Sequence, residues 1–210
     1  MQRNELTAGG GRPGRPVTPL GWHEPFPADA AGMESDLASP CGRNLHAVDR
    51  SWTADPAAQW LGWILLAPAP ARTMGEAVGD PADFDPALDR CRRYARCWGF
   101  GGVRVHYVLP RRVHDVEQLL RDESGPHGAA DGGGMLRILF ESCGMVVAAW
   151  GSYPQPAARA LTDAARLAAV THRRRLHCLG QLADGSPRAP LFAPRAAGPE
   201  IYLNPEGATR

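Results

Sequence analysis

A chain of 210 residues with a net charge of +1 is long enough for one well-filled domain plus a tail. Its charge balance provides no global field to draw in nucleic acid or a membrane surface. The chain contains no lysine, which excludes a Schiff-base lysine and a Walker A phosphate loop. Every fixed positive charge is therefore an arginine fork suited to carboxylate, phosphate or sulfate.

Residues 1–38 are rich in Gly and Pro, include GGGRPGRP and lack a repeating apolar face, so they read as a disordered N-terminal arm. Trp22 and Phe26 could dock it against the domain. From Cys41 to Trp52 the pattern is strand-like and ends in a turn at Asp55-Pro56, as in an outer strand or hairpin. Gly62 to Ala67 (GWILLA) is a continuous apolar run, the signature of a strand buried on both faces. Pro68 and Pro70 end it, and a long polar loop runs on to Asp83.

The stretch from Asp85 to Leu109 is the clearest unit. Asp83 or Asp85 can cap a helix whose first turn holds Pro86. Leu88, Cys91, Tyr94, Ala95 and Trp98 recur at helical spacing before Gly99 stops it. Gly101-Gly102 lead into a second strand, Val103 to Leu109. Asp115 can start a short helix through Leu120, and another spans about Met135 to Phe140. Met145 to Trp150 (MVVAAW) is a third buried strand, Ala157 to Val170 an alanine-rich amphipathic helix, and Leu176 to Gly180 a fourth strand. The remainder reads as turn and tail.

This order of elements predicts one α/β domain over residues 39–205, followed by a tail at 206–210. The expected architecture is three layers, α/β/α, around a short, mainly parallel four-stranded sheet. Ligands of such sheets bind outside the carboxyl ends of the strands, where the connections diverge. That rule selects the loops after Ala67, Leu109, Trp150 and Gly180.

Five single cysteines (Cys41, Cys91, Cys97, Cys143 and Cys178) form no CxxC pair. With no signal peptide and no long apolar run, they fit a cytoplasmic protein with buried thiols. No HExxH or other spaced His/Cys cluster points to a metal, and no motif points to a cofactor. No Ser-His-Asp or Cys-His set can be assigned, and the catalytic residues are unknown from sequence.

CGRNLHAVDRSW, WILLAPAPAR, DPALDRCRRYARCWGFGG, VVAAWG and CLGQLADGSPRAPLF together resemble the family known as domain of unknown function 1643, in order and spacing, over about residues 39 to 194. VVAAWGSYPQ is also similar to a strand and turn of uracil-DNA glycosylases, whose four parallel strands offer an architectural analogy. Against the family pattern, the frame is kept at Pro68, Asp85, Pro86, Trp98, Gly99, Trp150, Gly151, Gly180 and Pro190. The loops depart from it. The family's LNPSTAD stretch is here LAPAPAR, so that Ala67, Ala69 and Arg72 replace asparagine, serine and aspartate. Tyr107 replaces an asparagine, and Gly128 and Ala129 an asparagine and an aspartate. In the last loop, Ala183 replaces a lysine and Ala189 a histidine. The resemblance implies a maintained fold whose ancestral chemistry is lost or replaced.

The same loops hold Arg72, Arg111, Arg112 and Arg188, with His106, Tyr107 and His114 nearby. Arginine pairs with carboxylate or phosphate by charge-assisted bonds about twice as strong as neutral ones. The expected ligand-binding residues are therefore Arg72, Arg111, Arg188, Tyr107 and Trp150, with Tyr107 and His114 as candidates for moving a proton. Each also has a structural reading. The arginines can pair with neighbouring aspartates, as Arg112 with Asp115, while Tyr107 and Trp150 can simply fill the core. His106 alternates with Tyr107 and should face the opposite layer, and the run His172 to Arg175 complements the preceding helix dipole.

The expected partner is an anionic small molecule, in a biosynthetic enzyme or one subunit of a heteromeric enzyme, with nucleic acid and membrane disfavoured. A nucleotide- or nucleobase-directed hydrolase resembling an N-glycosidase, and a non-catalytic structural partner, are the alternatives.

Overall fold

The computed structural model describes residues 33–38, 44–68, 85–112, 132–152 and 157–205. The expected arm up to residue 32, the loop with Arg72 and the helix at 115–120 lie outside them, as does the tail at 206–210.

The strands are β1 (Glu34–Ala38), β2 (Leu45–Ser51), β3 (Trp60–Leu65), β4 (Gly102–Tyr107), β5 (Met145–Ala148), β6 (Leu176–Cys178) and β7 (Glu200–Leu203). The helices are α1 (Pro86–Cys97), α2 (Gly132–Ser142) and α3 (Ala157–Thr171), and a 3-10 turn spans Pro190–Phe192. All seven strands join one mixed sheet in the order β1-β2-β4-β3-β5-β6-β7. The expected four-stranded sheet is thus corrected to seven. The four middle strands pair in parallel, whereas β1 and β2 on one side and β7 on the other run antiparallel.

Of the three extra strands, β2 falls within the Cys41–Trp52 stretch that reads as an outer strand or hairpin, and β1 and β7 escaped the sequence reading for physical reasons. Glu34–Ala38, assigned to the arm, is an edge strand exposed at every position, so its sequence carries no alternation. Its acidic residues serve β2 instead, where Arg50 binds Asp36 at 2.6 Å and Glu34 at 3.6 Å. Glu200–Leu203 is only four residues long and pairs on one side alone, too short for a period to show.

α1 forms where the sequence placed it. Asp85 Oδ1 accepts from the amides of Ala87 (2.8 Å) and Leu88 (3.1 Å), Pro86 occupies the first turn, and Gly99 takes a left-handed φ of +81° beyond the end. Cys91, Tyr94 and Ala95 are buried against the sheet. Trp63 stacks on Trp98 at 6.0–6.1 Å from both Trp98 and Tyr94 ring centroids, and the Tyr94 hydroxyl donates to the Pro194 carbonyl at 2.6 Å.

The core is divided by the sheet. Leu61, Trp63 and Leu65 of β3 face α1, in one cluster with Val103, Val105 and Tyr107 of β4. Ile64 faces the other way, in a second cluster with Leu136, Leu139 and Phe140 of α2 and Ala165 and Ala169 of α3. Helices therefore cover both faces. Cys91, Cys143 and Cys178 are buried free thiols, and burial raises the pKa of each.

Two arginines tie neighbouring elements together. Arg104 grips Asp49 through Nε (2.9 Å) and Nη2 (2.7 Å), and its Nη1 reaches Ser142 at the end of α2. Arg174 donates to the carbonyls of Phe140 and Gly144 at the carboxyl end of α2, while the His172 ring stacks on Phe140 at 5.8 Å. The basic run after α3 thus serves the end of its neighbour. Replacing Arg174 by alanine leaves those carbonyls without their charged donor. It is expected to cost about 2 kcal/mol, read as a lower urea midpoint with an unchanged slope; an unchanged midpoint would show that water replaces the guanidinium fully.

Candidate functional site

The chain leaves β3 for α1 and β4 on one side, and leaves β5 for α3 and β6 on the other. β3 and β5 are neighbours, and the helices following them lie on opposite faces. Their outgoing connections therefore diverge, which makes the space outside their carboxyl ends the switch point where open α/β sheets hold ligands. The ladder carries on past the strands, with Val108 N bonding Leu65 O at 2.9 Å and Ala149 N bonding Ile64 O at 2.9 Å. The described residues at the centre of this rim are uncharged: Leu66, Ala67, Pro68, Ala149, Trp150 and Gly151.

On the β4 flank, Tyr107 is 1% exposed, and its hydroxyl donates to Asp85 Oδ2 at 3.3 Å. Asp85 therefore serves two elements: one oxygen caps α1 and the other receives the phenol from β4. Burial, reinforced by the Asp85 charge, pushes the Tyr107 phenol far up, and the Arg112 guanidinium only partly opposes this. The hydroxyl consequently keeps its proton at physiological pH and acts as a fixed donor. Beyond it, Arg111 is exposed and its backbone bridges to Asn44, while Arg112 is half-buried.

On the β6 flank, the chain turns back on itself through Gln181 and Pro187. Asp184 organises this turn. Its Oδ1 accepts from Ser186 N at 2.9 Å and its Oδ2 from the Ser152 hydroxyl at 3.0 Å. The Ser186 amide, followed by the serine hydroxyl, holds the Asp184 carboxyl below its ordinary pKa despite some desolvation. Gly151 completes the link. Its amide donates to Pro187 O at 2.9 Å, its φ is +76°, and an added Cβ would stand 3.3 Å from that of Ala189. Arg188 lies along the turn, with Nη2 3.4 Å from Gln181 O.

The sequence-selected residues thus divide. Arg111 and Arg112 stand beyond β4, whereas Arg188 stands on the return leg of the turn after β6, where its amide bonds Gly180 O and Pro187 O accepts from Gly151 N, at the opposite flank of the switch point. Trp150 is 2% exposed and meets Tyr202 edge-on at 5.8 Å within the core. His106 is 6% exposed, with Nδ1 3.1 Å from the His46 carbonyl oxygen. Arg72 and His114 lie outside the described residues. Two elements of the rim were missed in the sequence, the second role of Asp85 and the Ser152–Asp184 link. The capping position of Asp85 was visible, but its approach to Tyr107 depends on where β4 pairs. Among the described residues no group of three or more His, Cys, Asp or Glu could hold a metal, and no helix is long and apolar enough to cross a membrane.

The model of the family described as protein of unknown function (DUF1643) matches residues 46–191, and the chain belongs to that family. No curated protein and no solved structure matches it.

The Tyr107 environment has a measurable consequence. Because its folded pKa lies above the unfolded value, the associated stability is present below about pH 10 and declines as pH rises further, when the unfolded chain releases the proton first. Tyr107→Phe should flatten this alkaline loss in denaturant titrations run from neutral to alkaline pH. An equally steep loss in the variant would assign it to other groups.

Proposed function

We propose that this chain binds an anionic small molecule, bearing phosphate, sulfate or carboxylate, outside the carboxyl ends of β3 and β5. The observation that carries this reading is the divergence of connections at these two strands, with arginines of the β4 and β6 loops on either side. Arginine supplies planar, permanently charged donors. A buried Tyr107, its phenol pushed well up by burial and the Asp85 charge, favours a positioning role over proton transfer. Any acid or base must come from another group of this chain or from a partner subunit, which keeps one subunit of a heteromeric biosynthetic enzyme within the reading.

A second reading is an N-glycosidase-like hydrolase acting on nucleosides or nucleobases. The four adjacent parallel strands favour it, since they fit the glycosylase-like layout. Ala67, Ala69 and Ala189 weigh against it, because they offer no acid or base where that layout needs one. Release of free base from nucleosides or uracil-containing DNA, in proportion to protein, would reverse the order of the two readings.

The anion reading is tested by calorimetric titration of phosphate, sulfate and carboxylates into the protein and its Arg72→Ala and Arg188→Ala variants. Loss of one charge-assisted contact should weaken binding about tenfold or more. Equal affinities in all three proteins would remove the rim from consideration.

A further inference from the structure

β1 ends the sheet, and among the described residues no strand pairs with its outer edge. All five of its residues are exposed. Its pairing with β2 fixes which groups face outward. The Ser51 amide donates to Met33 O at 2.9 Å, and the antiparallel register continues with Ser35 opposite Asp49 and Leu37 opposite Ala47. Bonded and non-bonded pairs alternate along such a ladder. The main-chain groups of Met33, Ser35 and Leu37 therefore point to β2, and those of Glu34 and Asp36 point away from the sheet. Side chains alternate as well. Glu34 and Asp36 share the face of Arg50, while Met33 and Leu37 stand on the other face, 50% and 55% exposed.

An open edge of this kind is a template for a further strand, and its charge selects which one. Arg50 holds Asp36 at 2.6 Å and reaches Glu34, whose side chain is 67% exposed, only at 3.6 Å. Two carboxylates thus share one guanidinium. A second copy of β1 across a twofold axis would gather four carboxylates over two guanidiniums, and like charges facing each other across a ladder destabilise it. A strand with cations opposite Glu34 and Asp36 is favoured instead, and apolar side chains opposite Met33 and Leu37 would cover the other face. We propose that the outer edge of β1 docks an extended segment of a partner protein with the pattern apolar, basic, small, basic, apolar. Main-chain bonds to Glu34 and Asp36 hold the segment, and their carboxylates choose it.

The probe is a fluorescently labelled Thr-Val-Arg-Ser-Arg-Val-Thr peptide, titrated with the whole chain and followed by anisotropy. A version with both arginines replaced by glutamate should bind about tenfold or more weakly. Glu34→Gln, which leaves the closer Asp36–Arg50 pair in place, should weaken the arginine peptide and leave a version with serine at both basic positions unchanged. Amide hydrogen exchange read by NMR locates the contact. Saturation with the arginine peptide should slow exchange at Glu34 and Asp36 about tenfold or more, with Ser35 and Leu37 unchanged because β2 already bonds them.

Equal affinity for the arginine and glutamate peptides, or binding that leaves the Glu34 and Asp36 amides unprotected, would overturn the proposal. Protection of those two amides in dilute protein without peptide would show that the chain covers its own edge. Protection that grows with protein concentration would assign the edge to a second copy. Either result also overturns the proposal. The peptide series on the unaltered protein decides the point even where the variant folds poorly.

Discussion

β3 is buried on both faces and paired in parallel on both edges, and the rest of the rim follows from that constraint. Leu61, Trp63 and Ile64 have no exposure, and each such side chain contributes about 1.5–3 kcal/mol relative to an exposed one. A strand so placed cannot be joined to its parallel neighbour by a hairpin and needs a crossover. Right-handed crossovers taken in opposite directions across a sheet must lie on opposite faces. α1 on one face and α2 with α3 on the other satisfy that rule. The divergence beside β3 and β5 is thus a product of core packing and exists whether or not the loops retain any chemistry.

A frame held together in this way does not depend on polar side chains in its loops. The groups that position the rim are mostly hydrogen-bonded to backbone or to each other: Asp85 to α1 and Tyr107, Asp184 to Ser186 and Ser152, Gly151 to Pro187. None of these bonds needs a polar side chain at positions 67, 69 and 189, all of which are alanine. Removing a polar side chain from a partly desolvated rim also removes the cost of leaving it unpaired. Alanine in those loops is therefore compatible with a stable sheet.

Much of the fold was legible in the sequence where one strong local signal or a clear period was present. Asp85, Pro86 and Gly99 mark both ends of α1, and the runs around Trp63, Val105 and Val147 mark the buried strands. β1 and β7 were not legible, because edge strands this short are held by pairing and bury one side or none. The site was legible only in outline. Chain order gives β3, β4, β5 and β6, whereas the sheet places β4 beside β3 and away from β5. That rearrangement puts Arg111 and Arg188 at opposite flanks, although both follow strand ends as expected. Local rules likewise could not foresee that a helix cap would also receive the Tyr107 hydroxyl.

Backbone amide NMR of the chain during titration with sulfate tests the central claim most directly. Saturable shifts are expected at Gly151, Ser152 and the Gln181–Arg188 turn or at Arg111 and Arg112, with the outer faces of α2 and α3 unmoved. Shifts confined to those outer faces, or scattered without saturation, would contradict it.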